Sequence, residues 1–544
     1  MCNRRYDWHT NRGCKMDLNN LYNFKNAVRH FVNIDLLKYP ADIENFSTRE
    51  LCWTMPISFN VQKGNGKYRT LKIPNVLNFV RAYHYYSGLP DFDNIQEINP
   101  GHSRMTVNFD TGDFIAGEYD AQLNDDFMNL CLYDNLMKLD IKDFYGKLYS
   151  HYLPKRQLKD NVFTSMNNGR TGGIIMGNYL SLYFAENALK KIADDFETAL
   201  EDASINCHFE YFSDDFYIFC NKYDNETIRK LFNQILAEND YEGNDQKIEI
   251  EDYESYNIEN VLTRYWKAIM RHWNEEVLKD FQKENETETE ILHKLSFLNQ
   301  LIYRLSSVKK ERNKQSLIRN FFKTKHFQET DFERYDVEEY NYHQLCFLLK
   351  MSPESLLYTS DIFNSMSGFD NQNIKIFLKA RYREALISSL HDVQLYYYYA
   401  IRCYRLDWCL EDTSDLVLKS QNQILTSYYL KDGLFSEEQI NSLKLLDNEK
   451  FWFQNYHLIL YRPELTADLD DSIMKYLIPE KANTDPKRER YKKFYKENLV
   501  LGKAIINEVS VVTENIQEYL EKRHLELIHE DDNEIISEEE EFWI

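Results

Sequence analysis

A chain of 544 residues with 43% hydrophobic content carries more apolar surface than one ordinary core accommodates, so two or more domains are expected. No apolar run reaches the length of a membrane span, the start Met1 to Asp7 lacks an apolar signal core, and nine cysteines without a CxxC pair fit reduced thiols better than disulfides or a zinc site, which together predict a soluble, cytoplasmic protein. A net charge of −23 argues against a broad basic face gripping long duplex DNA, although part of the excess sits in an acidic C-terminal tail.

Up to about Pro56 the chain reads as helices with polar turns, with apolar residues at helical spacing from Leu18 to Leu37. From Ile57 to Asn75 the pattern changes to strands about an Asn65-Gly66 hairpin signal. The outgoing strand carries Lys67, Arg69 and Lys72. In isolation these form a solvated strand face; beside a nucleotide site they would grip a triphosphate, because phosphoryl transfer needs fixed cations around the leaving group. Asn78 to Tyr86 reads as helix and Asp91 to Asp126 as loop.

Asn135 to Ile141 is a short apolar strand ending in an acid, Asp140, with Phe144 and Tyr145 just beyond. Gly172, Gly173 and Gly177 permit close backbone approach before a helix that puts Leu182, Leu189, Phe196 and Leu200 on one face. The run Glu210 to Phe219 is aromatic and β-branched on both sides of Ser213-Asp214-Asp215, which predicts a tight hairpin with two acids at its tip. Adjacent carboxylates repel one another, and a divalent cation is the usual remedy. With Asp140 from a neighbouring strand, Asp214 and Asp215 would complete the three-carboxylate cradle of a two-metal phosphoryl-transfer site holding Mg²⁺ or Mn²⁺. Lys247 leads into a strand ending at Glu251; it reads either as a surface lysine or as a general acid or clamp for the leaving pyrophosphate.

From about Asn257 the alternation disappears and helical spacing takes over, as in Tyr265 to Lys283, Glu290 to Phe322, Tyr340 to Lys350, Asn373 to Leu390 and Gln394 to Trp408. Within it, Arg312, Lys314, Arg319 and Lys323 lie among Phe321, Phe322 and Phe327. That mixture suits a single-stranded DNA product, and equally a charged outer helix face over a core. Tyr396 to Tyr399 reads as core, since only part of one helical turn can face a ligand.

The order of these segments resembles the palm of reverse transcriptases, an Asp-x-x-x-Phe-aromatic segment (Asp140 to Tyr145) preceding a Tyr-x-Asp-Asp hairpin (Tyr211 to Asp215 with one residue more). Gly172 to Glu186 is similar to the Gly-x-x-x-Gly-Asn-x-x-Ser helix of the bacterial abortive-infection reverse transcriptases, Asn244 to Lys247 to their Asn-x-x-Lys, and Arg69 to Asn75 to their fingers segment. The resemblance implies an α+β fold with fingers and palm over 1–256, an all-helical, HEAT-like region over 257–529 in place of an ordinary thumb, and a tail over 530–544. It also implies that Tyr145 excludes a 2′-hydroxyl, that Gly177 and Asn178 support the nucleotide, and that dNTPs are joined without a template. Priming from a protein tyrosine (Tyr22, or Tyr6 next), a DNA product covalently attached to the protein, a homo-oligomer and a role in phage defence follow from the same resemblance. A templated enzyme of the retron or intron type, and a catalytically silent palm acting as a scaffold, are the competing readings.

Overall fold

In a computed structural model of the chain, the described residues are 17–534 apart from 48–49, 64–66, 106, 110–117, 151–160, 259, 261–297, 300, 307, 329–338, 360–371, 444–448, 467 and 480–484. Tyr6, the helical segment expected from Tyr265 to Lys283 and the last ten residues lie outside them.

Two sheets organise the first half. Strands β1 (Ile57–Lys63) and β2 (Lys67–Ile73) form an antiparallel pair, Ile57 opposite Ile73 and Lys63 opposite Lys67. Strands β3 (Asn135–Asp140), β4 (His208–Phe212), β5 (Asp215–Cys220) and β6 (Glu249–Glu251) form a second sheet in the order β4-β5-β3-β6, antiparallel throughout. Because side chains alternate across a strand, Met137, Leu139, Phe209, Phe216 and Ile218 share one buried face. Helices α3 (Tyr179–Asp202) and α4 (Asn225–Glu238) cover that face, with Phe196 against Phe209 at 5.2 Å and Phe216 against Phe232 at 5.0 Å between ring centres. Helix α1 (Val76–Tyr86) follows β2.

The opposite face of the sheet carries Lys138, Asp140, Asp215 and Tyr217. Its far end is roofed by α2 (Glu118–Leu132), whose Leu123, Phe127 and Leu130 pack with Leu136, Phe219 and Tyr256. The stretch expected to be a loop as far as Asp126 therefore contains a helix. Its acids misled the pattern: Asp126 is buried, where it accepts from Arg104 and from the Tyr256 hydroxyl, while Arg104 also pairs with Glu210 at 3.1 Å and lies 4.1 Å above the Tyr217 ring.

The second half is helical: α5 (Glu311–Phe322), α6 (Glu339–Met351), α7 (Gln372–Ile387), α8 (His391–Cys403), α9 (Gln423–Lys431), α10 (Trp452–Tyr461), α11 (Asp485–Val500) and α12 (Val509–Glu534). Helix α12 runs into the acidic stretch expected to be a tail, as far as Glu534. Tyr396 to Tyr399 are all buried, as expected of core. One hydrophobic core runs from Leu21 to Leu520 through both halves.

Candidate active site

The register of β3 and β5 decides the geometry. Asp140 ends β3 and Asp215 opens β5, and the two stand directly opposite one another in the ladder. Cross-strand partners point to the same face, so two carboxylates meet at one end of the sheet. Asp214 stands at the hairpin tip, where its backbone carbonyl accepts from the Ile141 amide at 3.0 Å and its carboxylate from the Ser213 hydroxyl at 3.1 Å. Ser213 holds a left-handed φ of 55°, which a two-residue hairpin of this kind demands of its first central residue.

Asp140 is almost fully buried and both its oxygens are engaged. One accepts from the Asn244 side-chain amide at 2.7 Å, and the other forms an ion pair with Lys247. The Asp215 carboxyl is pushed up to about 6, first by burial and then by the charges of Asp214 and Asp140, with Lys247 pulling the other way. Lys247 sits in a single turn before β6 rather than in the strand itself.

Among the described residues no three His, Cys, Asp or Glu side chains converge closely enough to cage a metal ion. The donor chemistry nonetheless suits a hard divalent cation: Mg²⁺ takes one or two carboxylates and fills its other positions with water and phosphate oxygens. Asp140 and Asp215 are such a pair, with Asp214 next in line.

Tyr145 is half-buried, its phenol held well above the usual range by burial and by nearby Glu186 and Asp214. Glu186, on α3, was not singled out from the sequence; burial pushes its carboxyl up to about 7. An acid following Tyr183-Phe184-Ala185 on a helix was the signal available. Gly177 has a φ of 100° and its carbonyl accepts from the Phe24 amide at 2.9 Å, a backbone conformation that favours glycine. Asn178 caps α3 from a buried position: it accepts from the Ser181 amide at 3.0 Å and donates to the Ile175 carbonyl at 2.8 Å.

Lys67 and Arg69 are exposed on β2, and the Arg69 guanidinium reaches 3.5 Å from the Met176 sulfur, just before Gly177. Lys72 is partly covered. Tyr22 is corrected from primer to core residue. It is 1% exposed, its hydroxyl donates to the Pro74 carbonyl, and its ring meets Phe79 edge-on, so no substrate can reach the phenol. Burial and neighbouring Tyr495 raise its pKa far beyond the ordinary range. The basic group on α5 divides: Arg312 is exposed and Lys314 half-buried, Arg319 pairs with Glu354 at 3.0 Å, and Lys323, just past the helix, is buried against Tyr358 and Tyr519 and donates to the Tyr519 hydroxyl at 2.7 Å. Lys323 is therefore a core lysine and no part of a DNA surface.

No protein-family model and no curated protein sequence matches the chain. Among solved structures it is similar to telomerase from Candida albicans in complex with the TWJ fragment of telomeric RNA, at 11% identity over 77% of this chain and 67% of that one, with a TM-score of 0.27. Telomerase from Candida tropicalis, in complex with the same kind of fragment, gives 11% identity over 68% and 64% and the same TM-score. At that level the strand order and register described above, and not the likeness, carry the reading of the site. No described helix is long and apolar enough to cross a membrane.

Proposed function

We propose that the chain is a nucleotidyltransferase of the reverse-transcriptase class, which joins dNTPs into DNA at the Asp140, Asp214 and Asp215 site. The observation that carries this is the ladder pairing of Asp140 with Asp215 beside Asp214 at a half-buried hairpin tip. Asp140 and Asp215, with Asp214 beside them, would hold divalent cations, which would supply the charge that two-metal transfer places on the attacking hydroxyl and the pyrophosphate. Arg69 and Lys67 bind the triphosphate from β2, and Tyr145 closes the sugar side. Lys247 neutralises Asp140 until substrate and cations arrive, then faces the departing pyrophosphate.

Untemplated synthesis, priming from a tyrosine of the protein, assembly as a homo-oligomer and a role in phage defence belong to the same reading and rest on the motif resemblance. With Tyr22 in the core, Tyr6 becomes the candidate primer. The test incubates purified protein with labelled dNTPs and Mg²⁺ without nucleic acid, followed by a denaturing gel with and without protease. Label that grows in length and moves with the protein is expected from the wild type and not from Asp214→Asn. Equal labelling of both would sink the assignment, and product that follows an added RNA sequence would favour the templated alternative.

A further inference from the structure

Lys25 is bracketed by two hydrogen bonds that fix where it stands. On one side the Phe24 amide donates to the Gly177 carbonyl at 2.9 Å; on the other the Asn26 side-chain amide donates to Glu354 Oε1 at 2.8 Å. The first bond leads towards the acids. Gly177 ends a short run from Ile174, whose own amide donates to the Tyr145 carbonyl at 2.9 Å. Three residues span at most about 10 Å, so Phe24 and Tyr145 are tied to the two ends of one short segment.

The second bond leads into the helical half. Glu354 Oε2 accepts from Arg319 of α5 at 3.0 Å, and Arg312 stands seven residues earlier, two turns along the same helix face. From β2, Arg69 reaches Met176 in the run that ends at Gly177. The charges of Arg69, Arg312 and Arg319 are all felt at Lys25. Lys25 is reached by solvent, yet burial is the first cause holding its ammonium below the ordinary range; Glu354 pulls it up and the three arginines push it down. A side chain that is wetted and desolvated at once lines a recess rather than a convex surface.

That recess belongs to the cleft that holds the acids. Arg69 is also felt at Tyr145, and Arg312 at Tyr217, two residues past Asp215 on the acidic face of the sheet. Like charges drawn together in a recess repel one another, and a compact polyanion relieves them all at once. A triphosphate concentrates its charge in that way, whereas a nucleic-acid strand spreads one charge per nucleotide along an open track.

We propose that Lys25 and Arg312 join Arg69 in holding the β- and γ-phosphates of the incoming nucleoside triphosphate, so that the helical half supplies part of the nucleotide site. The inference rests on the nucleotidyltransferase reading for the place of the sugar and of the reacting phosphate. It gives Arg312 a triphosphate as partner in place of a DNA product. Arg319 is a positioning residue here: it holds Glu354, which holds Asn26 and with it the segment that carries Lys25.

The test is isothermal titration calorimetry of dATP, dAMP and inorganic tripolyphosphate into the full chain, with a chelator present so that no divalent cation contributes. Lys25→Met and Arg312→Gln are each expected to weaken dATP and tripolyphosphate about tenfold, a low value for one hydrogen bond between charged groups, and to leave dAMP unchanged. Lys25→Arg is expected to keep most of the affinity. In steady-state nucleotide addition the same two variants should raise the KM for dATP more than they lower kcat. Wild-type dATP affinity in both variants, an equal loss for dAMP, or no binding of dATP by the wild type overturns the proposal. Loss of oligo(dT) binding with dATP affinity kept overturns it too, in favour of a strand. Asp214→Asn keeps the two readings apart: it should bind dATP at least as tightly as the wild type under these conditions while adding no nucleotide. If the dATP results stand and Asp214→Asn still adds nucleotides, the catalytic reading alone fails.

Discussion

Asp140 already holds a cation, since one of its oxygens is paired with Lys247 and the other accepts from Asn244. A divalent ion has to displace that ammonium, and the competition sets the apparent metal affinity. Lys247→Met is therefore expected to bind Mn²⁺ more tightly in the absence of nucleotide, by about tenfold, which corresponds to about 1.4 kcal/mol and is modest because the lysine is half in solvent. Mn²⁺ titration followed by electron paramagnetic resonance reads this directly, and an unchanged affinity means that Lys247 swings aside at no cost. The pH dependence has a definite sign. Asp215, raised to about 6, is protonated below that value and must lose the proton to bind a cation, so wild-type Mn²⁺ affinity should fall as the pH drops through 6. Tyr22 belongs to this scale too: Tyr22→Phe removes the hydrogen bond to a buried carbonyl, and a loss of about 1–3 kcal/mol in urea denaturation with unchanged nucleotide addition is expected. Nothing local in the sequence distinguishes a core tyrosine from a reactive one among forty, whereas acids at strand ends announce themselves.

The β1–β2 hairpin is held by side chains rather than by a third strand. The outward amides of Asn60 and Gln62 on β1 donate to His391 Nδ1 at 3.1 Å and to an Asp392 carboxylate oxygen at 2.9 Å, both from the first turn of α8. His391 Nε2 in turn meets the Ser420 carbonyl at 2.9 Å, which fixes a neutral ring with its proton on Nε2. Burial pulls His391 down to about 4 and pushes Asp392 up to about 7. The two act oppositely on stability. The unfolded chain protonates its histidine below about 6.5 while the folded one waits until about 4, so that contribution is lost on acidification. The folded chain keeps the Asp392 proton up to about 7 while the unfolded one releases it near 4, so that contribution is lost as the pH rises. Asp392→Asn keeps an acceptor for the Gln62 amide, gives up the oxygen that accepts from the Val393 amide at 2.9 Å, and removes the second effect. Its stability relative to wild type should rise by a few kcal/mol between pH 4 and pH 7, as read by urea denaturation at the two values. A constant difference would mean that Asp392 stays ionised in the fold. Elements whose faces alternate or recur simply were legible in the sequence: β1 to β5, α3 and α8 all stand where the pattern put them. Helix α2 was not, because it buries Asp126 against Arg104, and a pattern reading counts every acid as facing water.

At the scale of the molecule the question is whether the seam near residue 256, where the sequence changes from strand to helix texture, is also a seam in the energetics. The contacts across it are deep and polar. The Tyr428 hydroxyl lies between the carbonyls of Phe31 at 3.1 Å and Asn507 at 2.8 Å, Tyr491 donates to Asn78 at 2.6 Å, Asn75 donates to Tyr495 at 2.7 Å, and the Trp452 indole donates to the Met55 carbonyl at 3.1 Å. Asn75 and Asn78 belong to the start of α1, which follows the β2 strand that presents Lys67, Arg69 and Lys72, so the helical half packs against the elements next to the β1–β2 hairpin. Cutting the chain at 256 exposes a continuous apolar face along with polar groups that have lost their partners, each costing about 1–3 kcal/mol. A fragment 1–256 is therefore expected to lack a cooperative transition and near-ultraviolet circular dichroism, while the full chain unfolds with probes in the sheet and in the helical half in step. Tyr491→Phe in the full chain tests the same point without truncation. It leaves Asn78 short of a donor and the Cys52 amide without its 3.3 Å acceptor, and should shift both probes together to lower urea. If only the helical probe moves, the halves are separate folding units and the acidic site owes the helices nothing.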